Sequence, residues 1–389
     1  VNRRTMLLRR SRGYVPLPLP FVGANSPALL ALGAQQKSTI CLSAGGQMYP
    51  STEIGDLDNL ETMAVYRDTV RDMQALLAIQ PQAAVCDMHP NYESTRLAEQ
   101  YGLPVVKVQH HFAHIASVLA EVGARGPVIG VAFDGTGYGP DGTVWGGEFL
   151  IATATGYTRV AHIKAIPYLG GDASVRQGWK SAACLLHDAG VSCVGDDSRS
   201  AAVCAALDAG MNAIRSSSMG RLFDGVSSLL GICHDSGYEG QCAIELENAA
   251  ASVETLAMAN AFPFDILEEE GGDALVIDIG PCVHGLVQGR DTGEPRDMLA
   301  LRFHETVSQM VQTVCRILRE RYGLRDVALS GGVFQNRILL ARTLALLEAE
   351  GFEVLTNHDV PPNDGGIALG QAYAACRIWE EKGAYPTCV

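Results

Sequence analysis

The sequence predicts an α/β protein of two lobes, with largely parallel sheets covered by helices. Three observations predict it. Of the 389 residues 47% are apolar and only 19% charged, enough apolar side chain for two large cores. Apolar, β-branched runs alternate with segments of helical spacing, the order that builds helix-covered parallel sheets. The two halves also open alike, each on a short β-like run followed by a glycine turn.

Taken in order, "MLLRRSRGYVPLPLP" is basic and then proline-rich. It reads as the end of one domain and a linker, residues 1–20, so something upstream is expected. "STICLSAGGQMYPSTEIGDLDN" is a short strand, a Gly-Gly turn and a polar loop. Leu57 to Leu77 has helical spacing, "AAVCDMHP" ends a strand, and Glu93 to Tyr101 is a short helix. "GPVIGVAFDGTGYGPDGTVWGGEFLIATATGYTRVAHI" is a three-strand meander punctuated by Gly-Pro-Asp-Gly and Gly-Gly. Residues from about 165 to 290 are mostly helical and break the alternation, as an insertion does. "VALSGGVFQNRILLARTLALLEAEG" is strand, glycine turn and helix, and "FEVLTNHDVPPNDGGIALGQAYAACRIWEE" repeats that order with a longer loop. The expected lobes are residues 21–122 and 123–380. Ligands of such sheets sit at the carboxyl ends of the strands, where these glycine loops lie.

The net charge of −14 argues against nonspecific binding to nucleic acid or to acidic membranes, both of which need a positive surface. No apolar run is long enough to span a bilayer. The eleven cysteines form no CxxC pair and read as reduced, buried thiols, so a cytoplasmic protein is expected.

"VQHHFAH" sets three histidines within five positions after an apolar run ending at Val108. If a helix begins near Gln109, His110 and His114 stand i, i+4 on one face, a spacing from which two imidazoles reach one metal. His111 points elsewhere. A polar helix start with satisfied histidines is the competing reading. "PPNDGG" puts Asp364 between a strand and a helix, where it can face a cleft or where it or Asn363 can cap the helix. Asp134 in "FDGTGYG" ends a strand beside a glycine turn. Two His with one or two Asp and an open position suit catalytic iron or zinc.

"DGTGYGPDGTVWGG" and "SGGVFQN" each follow a β run. Glycines there let backbone amides approach a phosphate, although hairpins and tight connections use glycine too. Neither is a GxxxxGK[ST] loop or a GxGxxG fingerprint. Two such loops facing a cleft between similar lobes describe the actin, sugar-kinase and Hsp70 architecture, a pair of RNase H-like lobes.

Together "VQHHFAHIASVLAE", "VAFDGTGYGPDGTVWGGEFL", "SSSMGRLFDGVSSLLGI", "YEGQCAIELE", "LSGGVFQNRILL" and "VPPNDGGIALGQA" resemble the C-terminal part of the HypF family, carbamoyltransferases of NiFe-hydrogenase maturation. The resemblance runs from about residue 1 to 380. The same lobe pair is found in antibiotic O-carbamoyltransferases and tRNA threonylcarbamoyl transferases. The resemblance implies that "MLLRRSRGYVP" is the tail of a YrdC-like domain. That domain, an acylphosphatase-like domain and a zinc-finger segment are not in this sequence. It implies transfer of the carbamoyl group of carbamoyl adenylate, made from carbamoyl phosphate and ATP, to the C-terminal cysteine of a HypE-like partner for cyanide ligand synthesis. It also implies one divalent metal on His110, His114 and Asp364, with Asp134 as a fourth ligand, and magnesium as a companion of the nucleotide. Gly135, Thr136, Gly137, Gly331, Gly332 and Asn336 match its nucleotide loops, and Gly220 lies in the "GRLFD" element of the same cleft. The family reads nearer "REPWR" where this chain has "RQGWK", and His where Glu53 stands. That leaves the roles of Arg176, Lys180 and Glu53 open. A small-molecule O-carbamoyltransferase and a non-catalytic actin-like regulatory module are the alternative readings.

Overall fold

The structure is a computed structural model that describes residues 5–21, 26–171, 175–192, 198–211, 213–253 and 260–389. Asp172 to Ser174 of "DASVRQGWK" and residues 1–4 of the expected N-terminal tail lie outside the described residues.

Two sheets with the same core order organise the chain. The first holds β1 (Leu19–Pro20), β2 (Leu29–Ala31), β3 (Cys41–Ala44), β4 (Gln47–Pro50), β5 (Ala83–Asp87) and β6 (Val105–Val108), in the order β1-β4-β3-β2-β5-β6. Neighbours among β2, β3 and β4 are antiparallel, while β5 pairs parallel with β2 and β6 parallel with β5. Gly45 and Gly46, with φ of 58° and 76°, make the tight turn that closes β3 onto β4. The segment expected as a polar loop after that turn begins as strand β4, whose alternate residues Met48 and Pro50 are buried.

The second sheet starts with the expected meander of β7 (Val128–Tyr138), β8 (Val144–Thr153) and β9 (Gly156–Ile163). β10 (Ile166–Leu169) pairs with β11 (Ala213–Ser216) beside β8. The hairpin of β12 (Asp265–Glu268) and β13 (Leu275–Asp278) adds onto β9. β14 (Asp326–Ser330) and β15 (Glu353–Thr356) pair parallel on the far side of β7. The cores β4-β3-β2-β5-β6 and β9-β8-β7-β14-β15 therefore share order and direction. This repeated RNase H-like lobe is the fold class expected from the sequence, but the sheets are mixed and not largely parallel, because hairpins build β2-β3-β4 and β7-β8-β9 antiparallel.

In the first lobe α1 (Leu60–Leu77), α2 (Glu93–Gln100) and α3 (His110–Val122) follow the strands. Between β10 and β14 run α4 (Gly178–Asp188), α5 (Ser198–Asp208), α6 (Met219–Leu229), α7 (Gln241–Ala251), α8 (Gly280–Asp291) and α9 (Arg296–Tyr322). The region is mainly helical, yet it also carries β10 to β13. Edge strand β12 is mostly exposed and charged, so it lacks the apolar alternation that would have announced it. The chain closes with α10 (Arg337–Ala349) and α11 (Ile367–Lys382).

Helices α3 and α11 are exchanged between the lobes. α3 follows the first sheet but packs on β7, β8 and β14, while α11 follows the second and packs on β2, β3 and β5. "IALGQAYAACRI" is almost wholly buried, as a helix without a consistent polar face must be. Where the two helices cross, a Cβ on Gly370 would stand 1.9 Å from the Ala113 carbonyl oxygen, so only glycine fits. Phe112, Ile115 and Leu119 of α3 and Ile367, Leu369 and Tyr373 of α11 join strands of both sheets in one apolar cluster. Each such side chain contributes about 1.5–3 kcal/mol by burial.

Among the described residues nine cysteines are free thiols, of which only Cys388 is exposed. Cys204 is disulfide-bonded, which departs from the expectation of reduced thiols throughout. Among the described residues no helix is long and apolar enough to cross a membrane.

Candidate metal centre

Helix α3 starts where the sequence puts it. The Gln109 side chain caps it by accepting the Phe112 N–H at 2.8 Å, and Gly123 ends it at φ 65°. His110 and His114 then face the same side and are buried. Asp134 was expected at a strand end, but β7 runs on to Tyr138. The register against β8 shifts between Phe133 and Gly137, and this irregularity re-aims the Asp134 side chain. In the "PPNDGG" turn Asn363 does the capping, its Oδ1 accepting the Gly365 N–H at 3.0 Å. That leaves the Asp364 carboxylate for the cleft.

One ligand atom from each of His110, His114, Asp134 and Asp364 lies within 4.8 Å of the others. His110 Nε2 stands 3.2 Å from Asp134 Oδ2 and 3.7 Å from Asp364 Oδ1. His114 Nε2 stands 3.6 and 3.9 Å from the same two oxygens. On the other side of its ring, His110 Nδ1 meets Asp87 Oδ2 at 2.8 Å. Asp87, at the carboxyl end of β5, was missed in the sequence; its only signal was a carboxylate ending a fully buried strand.

Burial alone would push the His110 pKa down, but Asp364, Asp134 and Asp87 carry it well above the usual imidazole range. Burial works to raise Asp134, but the His110 imidazole that meets it at 3.2 Å and the nearby His114 ring bring it well below the usual carboxylate range. Both ring nitrogens of His114 are buried without a hydrogen-bond partner, a cost that a native core seldom carries without purpose. A divalent ion ligated by His114 Nε2 removes the part of that cost that falls on Nε2. Two imidazole nitrogens and two carboxylate oxygens converging on one point suit iron or zinc, so the residues present fit the group the sequence implied. His111 is kept neutral by burial and by His110, its Nδ1 3.1 Å from Gln109 Nε2, and it is not part of the cluster.

The glycine loops frame this cluster. Gly332 N–H donates to Asp134 Oδ1 at 3.3 Å. Gly331 takes φ 102°, and a Cβ there would stand 2.1 Å from the Phe133 carbonyl oxygen, so no other residue fits. Gly135 and Gly137 flank exposed Thr136 at the irregularity in β7, and a Cβ on Gly137 would meet His111 at 2.3 Å. Gly220, in the first turn of α6, packs on Gly135, and Ser218 caps α6 while bonding the Gly135 carbonyl oxygen. Asn336 is already engaged. Its Oδ1 accepts the Leu339 N–H at 2.9 Å as the cap of α10, and its Nδ2 lies 2.8 Å from His304 Nε2. Exposed Arg176 precedes α4, Lys180 lies over the Trp179 ring, and Glu53 pairs with Arg9 at 3.7 Å. Glu53 is not one of the clustered ligands.

Two family models match the chain: "HypF Kae1-like domain" over residues 24–121 and "Carbamoyltransferase, Kae1-like Domain, second subdomain" over residues 130–371. Carbamoyltransferase HypF2 of Cupriavidus necator is 38% identical over 95% of this chain and 49% of its own length. A Carbamoyltransferase HypF homolog of the same organism is 34% identical over 91% of this chain and 93% of its own length. A crystal structure of full-length HypF in the phosphate- and nucleotide-bound form superposes with a TM-score of 0.92 at 36% identity, covering 98% of this chain and 50% of that one. The chain thus spans about half the length of most of the curated relatives it matches. With both lobes matched in order, and with homologues at this identity along nearly its whole length, the chain belongs to the HypF carbamoyltransferase family.

Proposed function

We propose that this chain passes the carbamoyl group of carbamoyl adenylate to the C-terminal cysteine of a HypE-like partner, as a step in making the cyanide ligands of NiFe-hydrogenase. The observation that carries the proposal is the convergence of His110, His114, Asp134 and Asp364 within 4.8 Å beside the glycine loops of a two-lobed cleft. Support comes also from the phosphate- and nucleotide-bound HypF structure that the chain resembles.

An adenylate is an activated mixed anhydride, so the protein need not supply driving force. It must hold the carbonyl, favour its developing oxyanion and exclude water. A divalent iron or zinc ion held by the four ligands supplies Lewis acidity toward the carbamoyl carbonyl. Asp87 fixes the His110 ring, and Asp134 is itself held by the Gly332 amide. The Gly135–Gly137 turn is the candidate for the AMP phosphate, with magnesium as its companion, because the Gly331 and Gly332 N–H groups already donate to the Pro362 carbonyl oxygen and to Asp134 Oδ1. Asn336 holds the second turn in shape. The nucleophile belongs to the partner, so no Ser-His-Asp grouping is required here. A YrdC-like domain, acting with the zinc-finger segment from a longer chain or from a separate one, is the source of the adenylate, which the YrdC-like domain makes from carbamoyl phosphate and ATP.

The test supplies carbamoyl adenylate and a HypE-like partner and follows single-turnover thiocarbamate formation against adenylate concentration. Asp364→Ala is expected to lower the transfer rate, because it removes stabilisation made mainly in the transition state. Asn336→Ala is expected chiefly to weaken adenylate binding. Unimpaired transfer by Asp364→Ala removes the four-ligand centre from the reaction.

A further inference from the structure

Lys37 and the "YEGQCAIELE" motif lie outside the ligand set of His110, His114, Asp134 and Asp364. The structure joins them. Lys37 lies between β2 and β3 in the first lobe, and Glu239 lies just before α7 in the second; the two form an ion pair across the cleft. The Lys37 loop is tied to the metal-bearing turn, because Thr39 Oγ1 donates to the Gly365 carbonyl oxygen at 3.1 Å. It is also tied to α11, where Gln371 Oε1 accepts the Gly33 N–H at 2.8 Å.

Lys37 holds φ at 41°, one of two non-glycine residues with positive φ among the described residues. The other, Ala78, is a helix C-cap, where such a conformation is routine. At Lys37 it is not, and strained backbone of this kind gathers at ligand clamps. Its N–H donates to Asp56 Oδ1 at 2.8 Å, which holds the strained residue in place. Burial works against the ammonium charge, but Glu239, and further off Asp364 and Asp134, more than offset it, so the side chain is a fixed cation beside the cluster.

We propose that Lys37 is the phosphate-binding residue of the cleft and that Glu239 occupies its ammonium until an anionic ligand, a nucleoside 5′-phosphate ester, takes that place. The proposal rests on the nucleotide reading above. Lysine suits the task as a compact point charge on a flexible stem. Glu239 suits a placeholder, because its side chain is 48% exposed against 27% for Lys37. A pair so exposed is worth at most about fivefold in an equilibrium, so a bound phosphate can displace it. The exchange also opens a bond between the lobes as the ligand arrives.

The test measures AMP and inorganic phosphate binding by calorimetry to the metal-loaded chain, to Lys37→Met, Lys37→Arg and Glu239→Gln. Metal content and melting temperature are recorded for each. Lys37→Met is expected to weaken AMP about tenfold or more, and Lys37→Arg to recover part of the loss. Glu239→Gln is expected to tighten AMP roughly two- to fivefold, because the competitor is gone. Misfolding cannot produce that opposite sign. AMP binding that ignores both residues, or that weakens in Glu239→Gln, overturns the latch and leaves the nucleotide reading standing. Phosphate that follows the expected pattern while AMP does not bind keeps the latch and sinks the nucleotide reading. If neither probe binds the parent protein, both fall.

Discussion

Asp87 Oδ2 sits 2.8 Å from His110 Nδ1, while Nε2 of the same ring faces Asp134 Oδ2 at 3.2 Å. The ring is thus held from behind by a carboxylate, and its front nitrogen is aimed at the cluster. A carboxylate behind a ligating imidazole fixes its tautomer and raises its basicity. Asp87→Asn keeps an acceptor for the His89 N–H but removes the charge. It is expected to weaken divalent metal binding by about ten- to a hundredfold with little change in fold, read by competition with a chromophoric chelator. Unchanged affinity would reduce Asp87 to a packing partner.

Metal stoichiometry tests the centre directly. The purified chain is expected to hold one divalent ion, and the His110→Ala, His114→Ala double variant none. Elemental analysis decides it; equal metal in the double variant means that the four residues were misassigned.

His304 gives a pH signature of its own, outside the four-ligand cluster. It is fully buried, and burial brings its pKa down from 6.5 to about 4, against a smaller opposing effect of its bond to the Ala300 carbonyl. Because the folded value lies below the unfolded one, the stabilisation is complete above about pH 6.5 and is lost as pH falls toward 4, about 3 kcal/mol in all. In urea denaturation the parent is expected to lose about 2 kcal/mol more than His304→Gln on going from pH 7 to pH 5. Parallel losses in the two proteins would contradict a neutral, buried His304.

Gly331→Ala places a methyl group against the Phe133 backbone at a φ that alanine disfavours. Destabilisation of about 2–4 kcal/mol is expected from backbone strain and displacement. The same change shifts Gly332, so metal affinity is expected to fall with the melting temperature. A melting point within a degree of the parent would show that the turn can relax away from the Phe133 carbonyl oxygen.

His110 and His114 were legible because a helix makes i, i+4 neighbours without help from the rest of the fold. Asp364 was legible because a strand, a turn and a helix in succession leave one place for it, although only the structure shows that Asn363 takes the cap. Asp134 was found for a partly mistaken reason. It lies not at a strand end but at an irregularity within a longer strand, and the register of β7 against β8 is invisible in either segment alone. Lys37, Asp87 and Glu239 were passed over. Each is a single charged residue whose meaning comes from a partner 23 or more positions away, and no local pattern records that. The hairpin of β12 and β13 was passed over for a related reason, since its outer strand is specified by an edge to pair with.

The exchange of α3 and α11 bears on how this protein can be taken apart. A cut in the chain between Val122 and Val128 separates the two sheets, but each piece then carries a helix shaped for the other and lacks the helix its own sheet needs. Neither piece is an autonomous folding unit. Anyone building a hybrid from this chain and a relative must match an interface and not a linker. The helix crossing at Gly370 and Ala113 will decide which parents are compatible. Chimeras that graft α3 together with the second lobe, and α11 together with the first, respect the true seam of the molecule.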